Sequence, residues 1–520
     1  MSDKAGRREW IGLATLMLPL LLVSMDVSVL FFAVPFINAD LEPSGTQQLW
    51  IFDIYGFVLA GLLITMGSLG DRIGRRRLLM LGAAGFGTAS VLAAYSQSAE
   101  LLIAARALLG IGGATLMPST LALIRNMFHD EKQRGVAISI WTAGLTFGVS
   151  LGPILCGLLL RQFWWGSVFL INLPAMALLL VLAPVLLPEF RNPAAGRFDL
   201  FSSVLSMAAV LPVIYAIKEM ATHGVNATRI GCVAVGLVIG GVFLRRQSRL
   251  ADPMIDLSLF RRRGFAGSIA MNVIAMFGLT GFAIFSTQYL QSVLGMAPLT
   301  AALWSLVASV GVGATAPVAS VLVQRGLDRS YVIGGGFVVA AAGLVELTQV
   351  AVGDTVVPVL IGAGLLAGGL VAAVSQVAEL TMGAIPAQRA GSGSALLETA
   401  SEFGGALGIA VLGSIGAAVY RSDVASALPQ GLPAQASEAA HETLGGAVAV
   451  AGQLPGELGN SLIAAARSAF VDGMHTAALT AAVVMALAAV LTVGLLRKAT
   501  PRDPAPEAAT LVRKIDSMAR

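Results

Sequence analysis

Apolar residues along this chain gather into runs of about 20, enough for a helix rising 1.5 Å per residue to cross a hydrocarbon layer of about 30 Å. The runs fall near 11–37, 49–69, 78–97, 100–122, 137–160, 167–187, 201–219 and 228–244. They continue near 266–290, 299–323, 331–350, 357–381, 394–418 and 475–496. The pattern predicts fourteen membrane-spanning helices, the two shortest being those near 201–219 and 228–244. Alternation at period two over about 10 residues, the mark of a membrane β-barrel, is not what these runs show. The first run follows Lys4, Arg7 and Arg8, but it is too long for a secretion-signal core and lacks a small-residue cleavage site, so it reads as the first span.

Polar positions between the runs carry a second pattern. Of the 33 Lys and Arg, 27 fall on the side shared by both chain ends, five (Arg161, Lys218, Arg229, Arg421, Arg467) fall opposite, and Arg106 lies inside a span. The positive-inside rule then places both termini in the cytoplasm, in the cytoplasmic (inner) membrane. One connection is long: Tyr420 to about Met474, on the outer side, where Leu458 to Val471 has helical apolar spacing and predicts a partly ordered amphipathic segment.

The loop after the second span reads GSLGDRIGRRRL from Gly67 to Leu78, and the loop after the tenth reads SVLVQRGLDRS from Ser320 to Ser330, a degraded copy with Gln324 where Asp71 would be. This predicts parallel halves: a six-helix bundle over 1–190, a two-helix insert and linker over 191–262, and a second six-helix bundle over 263–498. The external loop at 420–474 belongs to the second bundle, and a cytoplasmic tail fills 499–520.

Composition excludes a soluble protein. The 520 residues are 56% hydrophobic with 59 Gly, and charged residues make up 12%, about half the ~25% of a globular chain. The net charge of +4 therefore serves orientation, and nucleic acid is not an expected partner. Cys156 and Cys232 lie far apart in apolar runs and His129, His223, His441 and His475 in loops or at span ends, so neither disulfide nor metal is expected. No Walker loop or dinucleotide fingerprint occurs, so no cofactor and no direct use of ATP is expected. GVSLG at 148–152 matches a hydrolase nucleophile elbow in letters only, because Ser150 lies in an apolar helix with no strand before it.

Ionisable groups within spans are costly and are therefore functional candidates. Asp26 lies near the middle of the first span, either as a structural carboxylate or as a cation and proton site. Arg106, in RALLGIGGA of the fourth span, needs a carboxylate or carbonyl partner, and Asp26 suits it in type; the alternative is an Arg that clamps helix ends structurally. Glu398 and Glu402 share one face of the thirteenth span at a four-residue spacing, which favours protonation of one of them. Glu402 is expected deeper and Glu398 closer to water. Glu346 and Glu379 lie near span ends, where snorkelling explains them. Asp53, at the outer start of the second span, is a gate or an interface residue. In the fifth span Gly144, Gly148, Gly152 and Gly157 make a flat face and Pro153 a bending point, suited either to sealing against the opposite half or to the close helix packing general in membranes.

These residues resemble the major facilitator superfamily, and within it the fourteen-span drug:proton antiporters that export quaternary ammonium and other lipophilic cations. The resemblance covers essentially the whole chain. GSLGDRIGRRRL is similar to the superfamily loop motif, with Asp71 and Arg72 at its charged core and Gly74 and Arg75 following. RALLGIGG resembles the fourth-span Arg motif. GLTFGVSLGPILCG, containing Gly152 and Pro153, resembles the antiporter motif of the fifth span, with Cys156 where Gly is usual. LEPSGTQQLWIFDIY (41–55) and ETASEFG (398–404) look like the cation exporters in particular. Members that handle dications can carry a further acid in the tenth span, and 299–323 has none.

The resemblance implies an all-α membrane protein that is not an enzyme and that exchanges protons for amphipathic, mainly cationic small molecules. Asp26, Glu402, Glu398, Arg106 and Asp53 would bind substrate and proton. Asp71, Arg72, Gly74, Arg75, Gly152 and Pro153 would serve gating. Protons, amphipathic substrates and membrane lipid are the expected partners, with the monomer as the functional unit. Aromatics such as Phe31, Phe32, Phe277, Phe282 and Tyr289 would offer apolar and cation-π contacts. A metabolite or antibiotic exporter, or a proton-coupled importer, on the same fold is the alternative. A non-transporting sensor or scaffold is the reading from another class.

Overall fold

The computed structural model describes residues 5–41, 43, 45–191, 199–223, 226–250, 253, 255, 257–261, 263–386, 390–429 and 432–497, so the tail at 499–520 lies outside the described residues. No strand occurs among them. The first helices are α1 (Arg7–Leu41), α2 (Gly45–Ile73), α3 (Arg75–Ala94), α4 (Ala99–Met127), α5 (Glu131–Leu159), the single turn α6 (Ser167–Leu170) and α7 (Asn172–Leu186). Next come α8 (Leu200–His223) and α9 (Ala227–Gln247). The remainder are α10 (Arg263–Gln288), which ends in a π-turn over Tyr289–Val293, α11 (Pro298–Gln324), α12 (Arg329–Leu347), α13 (Val356–Ala384), α14 (Ala390–Ala427), α15 (Ala434–Glu442), α16 (Leu444–Ala451) and α17 (Gly456–Leu496). Polar side chains set several helix starts: Ser98, Asp130 and Asn226 each accept from the N–H three residues on, at Leu101, Gln133 and Arg229.

Among the described residues twelve helices are long and apolar enough to cross a membrane. The helix at Ala227–Gln247, one of the two shortest runs in the sequence, is among them. The two expected spans outside the twelve are α8 and α11, whose described apolar stretches, Phe201–Ile217 and Val312–Gln324, are shorter.

Neighbours recur in the same order in two groups. In the first, α1 packs on α5 and α7, α2 on α4, and α3 on α4 and α7; in the second, α10 packs on α14 and α17, α11 on α13, and α12 on α13 and α17. The α8–α9 hairpin lies between them, with α8 against both α2 and α14. Ile214 of α8 is buried with Phe57 and Ala60 of α2, and Val213 and Ile217 with Ala406 of α14. One helix thus covers the seam where the groups meet.

The long connection after the thirteenth predicted span is more helical than expected. The helix α14 continues to Ala427 and α17 begins at Gly456, so Leu458–Val471 forms the start of the last spanning helix rather than a separate amphipathic segment. At 41 residues α17 is about 60 Å long, about twice the hydrocarbon thickness. Between them α15 and α16 fold back, and the Tyr420 hydroxyl donates to the Ala440 carbonyl at 2.7 Å.

Both ends of the described chain lie on one face, the terminal face. The Ala5 N–H donates to Gln133 Oε1 at 2.7 Å, Gln324 Nε2 donates to the Lys132 carbonyl at 3.3 Å, and Arg497 stands over the Tyr331 ring at 5.7 Å.

Asp199 ties the insert together on this face. It accepts from the Ser202 N–H at 3.0 Å and hydroxyl at 2.6 Å, and from Arg246 Nη2 at 2.9 Å. Burial pushes its carboxyl up, but these hydrogen bonds and the Arg246 charge outweigh that and hold it below its ordinary value. A carboxyl that titrates lower when folded adds stability above the free value of about 3.9, and that stability is lost as pH falls through the folded value. Asp199→Asn keeps a helix cap and removes the charge pair. It is expected to cost about 0.5 kcal/mol at neutral pH, a difference that closes under acid below the carboxylate range. Paired thermal melts in detergent across that pH range check this.

Candidate functional site

Asp26 of α1 and Arg106 of α4 form a buried ion pair through Arg106 Nη1 and Asp26 Oδ2, with 6% and 1% of the residues exposed. An isolated charge would be prohibitive there, and each neutralises the other. Arg106 has further partners on α2: its Nε donates to the Ile51 carbonyl at 3.1 Å, and its guanidinium lies 4.9 Å from the centroid of the Tyr55 ring. Tyr55 is itself buried, and its hydroxyl lies 3.4 Å from the Val23 carbonyl of α1.

The glycines of RALLGIGGA make this possible. Arg106, Gly110 and Gly113 share one face of α4 at helical spacing. A Cβ at Gly110 would fall 2.7 Å from the Tyr55 carbonyl oxygen, and one at Gly113 would fall 3.1 Å from the Tyr55 hydroxyl. Without side chains there, α2 comes close enough to present both a carbonyl and a ring to Arg106.

The helix α14, which carries the glutamate pair, packs on α2 and α4. Tyr55 feels the charges of Asp26, Arg106 and Glu402, which links the first-group pair to α14. The two glutamates differ in burial. Glu398 is 9% exposed and Glu402 is the exposed member, because Glu398 is on the turn of α14 that packs into the bundle. Glu398 also feels the charge of Glu402. The side chains of Asp53, Phe31 and Phe32 lie outside the described ones. Phe277, Phe282 and Tyr289 are buried in helix packing rather than presented to a ligand, and the Tyr289 hydroxyl donates to the Ala351 carbonyl at 2.7 Å.

On the terminal face, Asp71 pairs with Arg75 four residues on, across the α2–α3 turn. The turn folds Arg75 back over Gly70. Gly74 starts α3 with φ of 114°, a conformation suited to glycine, and a side chain there would meet the Glu189 carboxylate. Glu189 accepts from the N–H groups of Arg76 and Arg77 at 3.1 and 3.2 Å, while the Arg76 side chain donates to the Pro184 and Leu187 carbonyls at the end of α7. Each helix end satisfies the other. Arg72 closes the α2 helix beside them.

Contacts between the two groups on this face involve the second copy of the loop. Arg329 reaches Glu131 of α5 at 3.8 Å and Glu379 of α13 at 3.1 Å. Glu379 is 4% exposed and paired, so snorkelling does not describe it. Arg125 Nε donates to the Met382 carbonyl at 3.0 Å, and Ser394 Oγ to that of Pro118 at 2.8 Å. Ser139 of α5, Ser320 of α11 and Gln376 of α13 join in a buried polar cluster, with Ser139 to Ser320 at 2.5 Å and Gln376 to Ser320 at 3.1 Å. Serines in apolar runs give no sequence signal of this kind; the signal for Glu379 was its charge inside a span.

The glycines of α5 divide between neighbours: Gly144, Gly148 and Gly152 turn to α1 in their own group, and Gly157 turns to Leu299 of α11 in the opposite one. A Cβ at Gly148 or Gly152 would fall 3.0 Å from the Leu21 or Met25 carbonyl oxygen. The other face of α5 meets α11, where Ser150 and Ser309 hydroxyls lie 2.6 Å apart. Pro153 leaves the Val149 carbonyl without its helical donor, and Ser28 of α1 supplies one at 2.8 Å. The flat glycine face brings Ser28 that close. Ser28→Ala should therefore lower stability by about 1 kcal/mol, and adding Pro153→Ala should restore it by returning the backbone N–H. Thermal unfolding of both variants in detergent measures this.

Cys156 and Cys232 are free thiols, and no cluster of three or more His, Cys, Asp or Glu suited to a metal occurs among the described residues. The family pattern described as Major Facilitator Superfamily matches residues 16–409. The chain is 45% identical to the multidrug efflux pump LfrA of Mycolicibacterium smegmatis, over 94% of this chain and 97% of that protein. It is 37% identical to the methyl viologen resistance protein SmvA of Salmonella typhimurium, over 94% and 98%. In architecture it is similar to the human organic anion transporter MFSD10 (TETRAN), with a TM-score of 0.59 and 14% identity over 93% of this chain and 99% of that one. With helices in two like-ordered groups and a matched pattern over most of its length, this chain belongs to the Major Facilitator Superfamily and is a membrane transporter, not an enzyme.

Proposed function

We propose that the protein is a proton-coupled antiporter that exports amphipathic, mainly cationic drugs and biocides through fourteen spans, with its terminal face in the cytoplasm. The observation that carries this reading is the Asp26–Arg106 pair buried among candidate spans. Asp26 must be neutralised in every state, by Arg106, a proton or a cationic substrate. Competition of proton and cation for one carboxylate suffices for exchange if either occupant permits the conformational change and the empty charged site resists it. The drug-resistance names of the relatives support export of drugs, and the 27 basic residues that the sequence pattern assigns to the side of both chain ends support a cytoplasmic placement.

The two groups of helices act as halves that rock about the site. Asp71, Arg72, Gly74 and Arg75 keep the α2–α3 turn rigid, and Gly152 with Pro153 lets α5 bend. Asp53 gates the outer side. Glu398, the buried glutamate, holds the second proton, with Glu402 facing the substrate. Moving a monocation outward costs ~2.3 kcal/mol per 100 mV, which one inward proton cancels, leaving ~1.4 kcal/mol per pH unit as the drive.

Asp26→Asn is expected to abolish uptake of a monocationic dye into inside-out proteoliposomes energised by a pH gradient, while a neutral substrate still moves. Methyl viologen, a dication, belongs in the same assay because a relative is named for resistance to it. Glu398→Gln should impair proton movement more than Glu402→Gln. Wild-type dye accumulation that persists after a proton uncoupler is added would refute the coupling.

A further inference from the structure

Arg106 has an attachment that does not depend on Asp26. Ile51 and Tyr55 lie one turn apart on the same face of α2, and together they offer a carbonyl oxygen 3.1 Å from Nε and a ring centroid 4.9 Å from the guanidinium carbon. Asp26 takes only Nη1. The ring lies against Gly113 and its hydroxyl near the Val23 carbonyl, while Gly110 lets the Tyr55 backbone come close to α4, so the ring has little freedom to turn away. When a proton or a cation neutralises Asp26, the freed guanidinium still has two contacts on α2.

We propose that Tyr55 is a positioning residue for the exchange site: its ring, with the Ile51 carbonyl, parks the Arg106 guanidinium on α2 so that it stays beside Asp26 while the carboxylate is occupied and re-forms the pair when the occupant leaves. This rests on the exchange reading above. Among the described residues, the charged and titratable groups about Arg106 and Tyr55 are Asp26 on α1 and Glu402 on α14, with Glu398 next to Glu402. The helix α5, packed on α1, has no charged residue after Arg134.

A guanidinium that wanders gives the Asp26 carboxylate less positive potential, so protons compete better for it. In proteoliposomes carrying a monocationic dye, Tyr55→Leu should move the pH of half-maximal exchange upward by about one unit, the size of a buried cation-π contact. Tyr55→Phe keeps the ring and should hold the wild-type midpoint. Gly110→Ala leaves Tyr55 intact but pushes α2 away, and should reproduce the upward shift even if the leucine variant does not fold. An unshifted midpoint in both Tyr55→Leu and Gly110→Ala, or an equal shift in Tyr55→Phe, would overturn the assignment.

A second measurement does not need proton coupling. Asp26→Asn leaves Arg106 dependent on the α2 contacts, so the loss of melting temperature in Asp26→Asn combined with Tyr55→Leu should exceed the sum of the two single losses. Additive losses would overturn the parking role. A wild-type dye flux indifferent to pH, with the melting losses still more than additive, would instead remove the coupling reading and leave Tyr55 in place.

Discussion

A full charge in hydrocarbon is tolerated only with its neutraliser beside it, and the Asp26–Arg106 pair puts that demand at the centre of this molecule. Meeting it recruits three helices. Arg106 comes from α4, Asp26 from α1, and α2 adds the Ile51 carbonyl and the Tyr55 ring. The approach of α2 to α4 that this needs is what Gly110 and Gly113 allow. The site and the helix packing are thus one problem: enlarging either glycine would move the partner of a buried cation.

The same rule, that polar groups in a bilayer find partners within the protein, explains contacts that have no charge. Pro153 opens the backbone of α5, and Ser28 on the neighbouring helix closes it. Ser139, Ser320 and Gln376 share hydrogen bonds across the two groups, where an apolar contact would resist separation less specifically. The terminal face is held this way together with Arg329, which bridges α5 and α13. The α8–α9 hairpin covers the neighbouring seam with apolar contacts from Val213, Ile214 and Ile217, and the Asp199–Arg246 pair ties the hairpin itself.

Likeness to other proteins separates fold from chemistry. The helix arrangement is shared with a human organic anion transporter at 14% identity, while the relatives named for drug efflux and methyl viologen resistance share 45% and 37% of residues. Two like-ordered groups of helices can be built from many apolar sequences. A buried carboxylate facing an arginine in a cradle of tyrosine and carbonyl requires particular residues at particular turns.

What the sequence by itself determined is what a bilayer imposes on one helix at a time: length, apolar runs, the sidedness of Lys and Arg, and the few ionisable residues inside spans. Asp26, Arg106, Glu398 and the loop of Asp71 were legible because each departs from a strong local background. Which residue meets which is decided between helices, by rotation about each axis and by depth, and those depend on neighbours distant in sequence. Hence Glu398 is the glutamate enclosed by protein, and the α5 glycines divide, Gly148 and Gly152 against α1 and Gly157 against α11. Tyr55 over Arg106 could emerge only there, because a tyrosine in an apolar run has no signal until α4 brings a cation to its face.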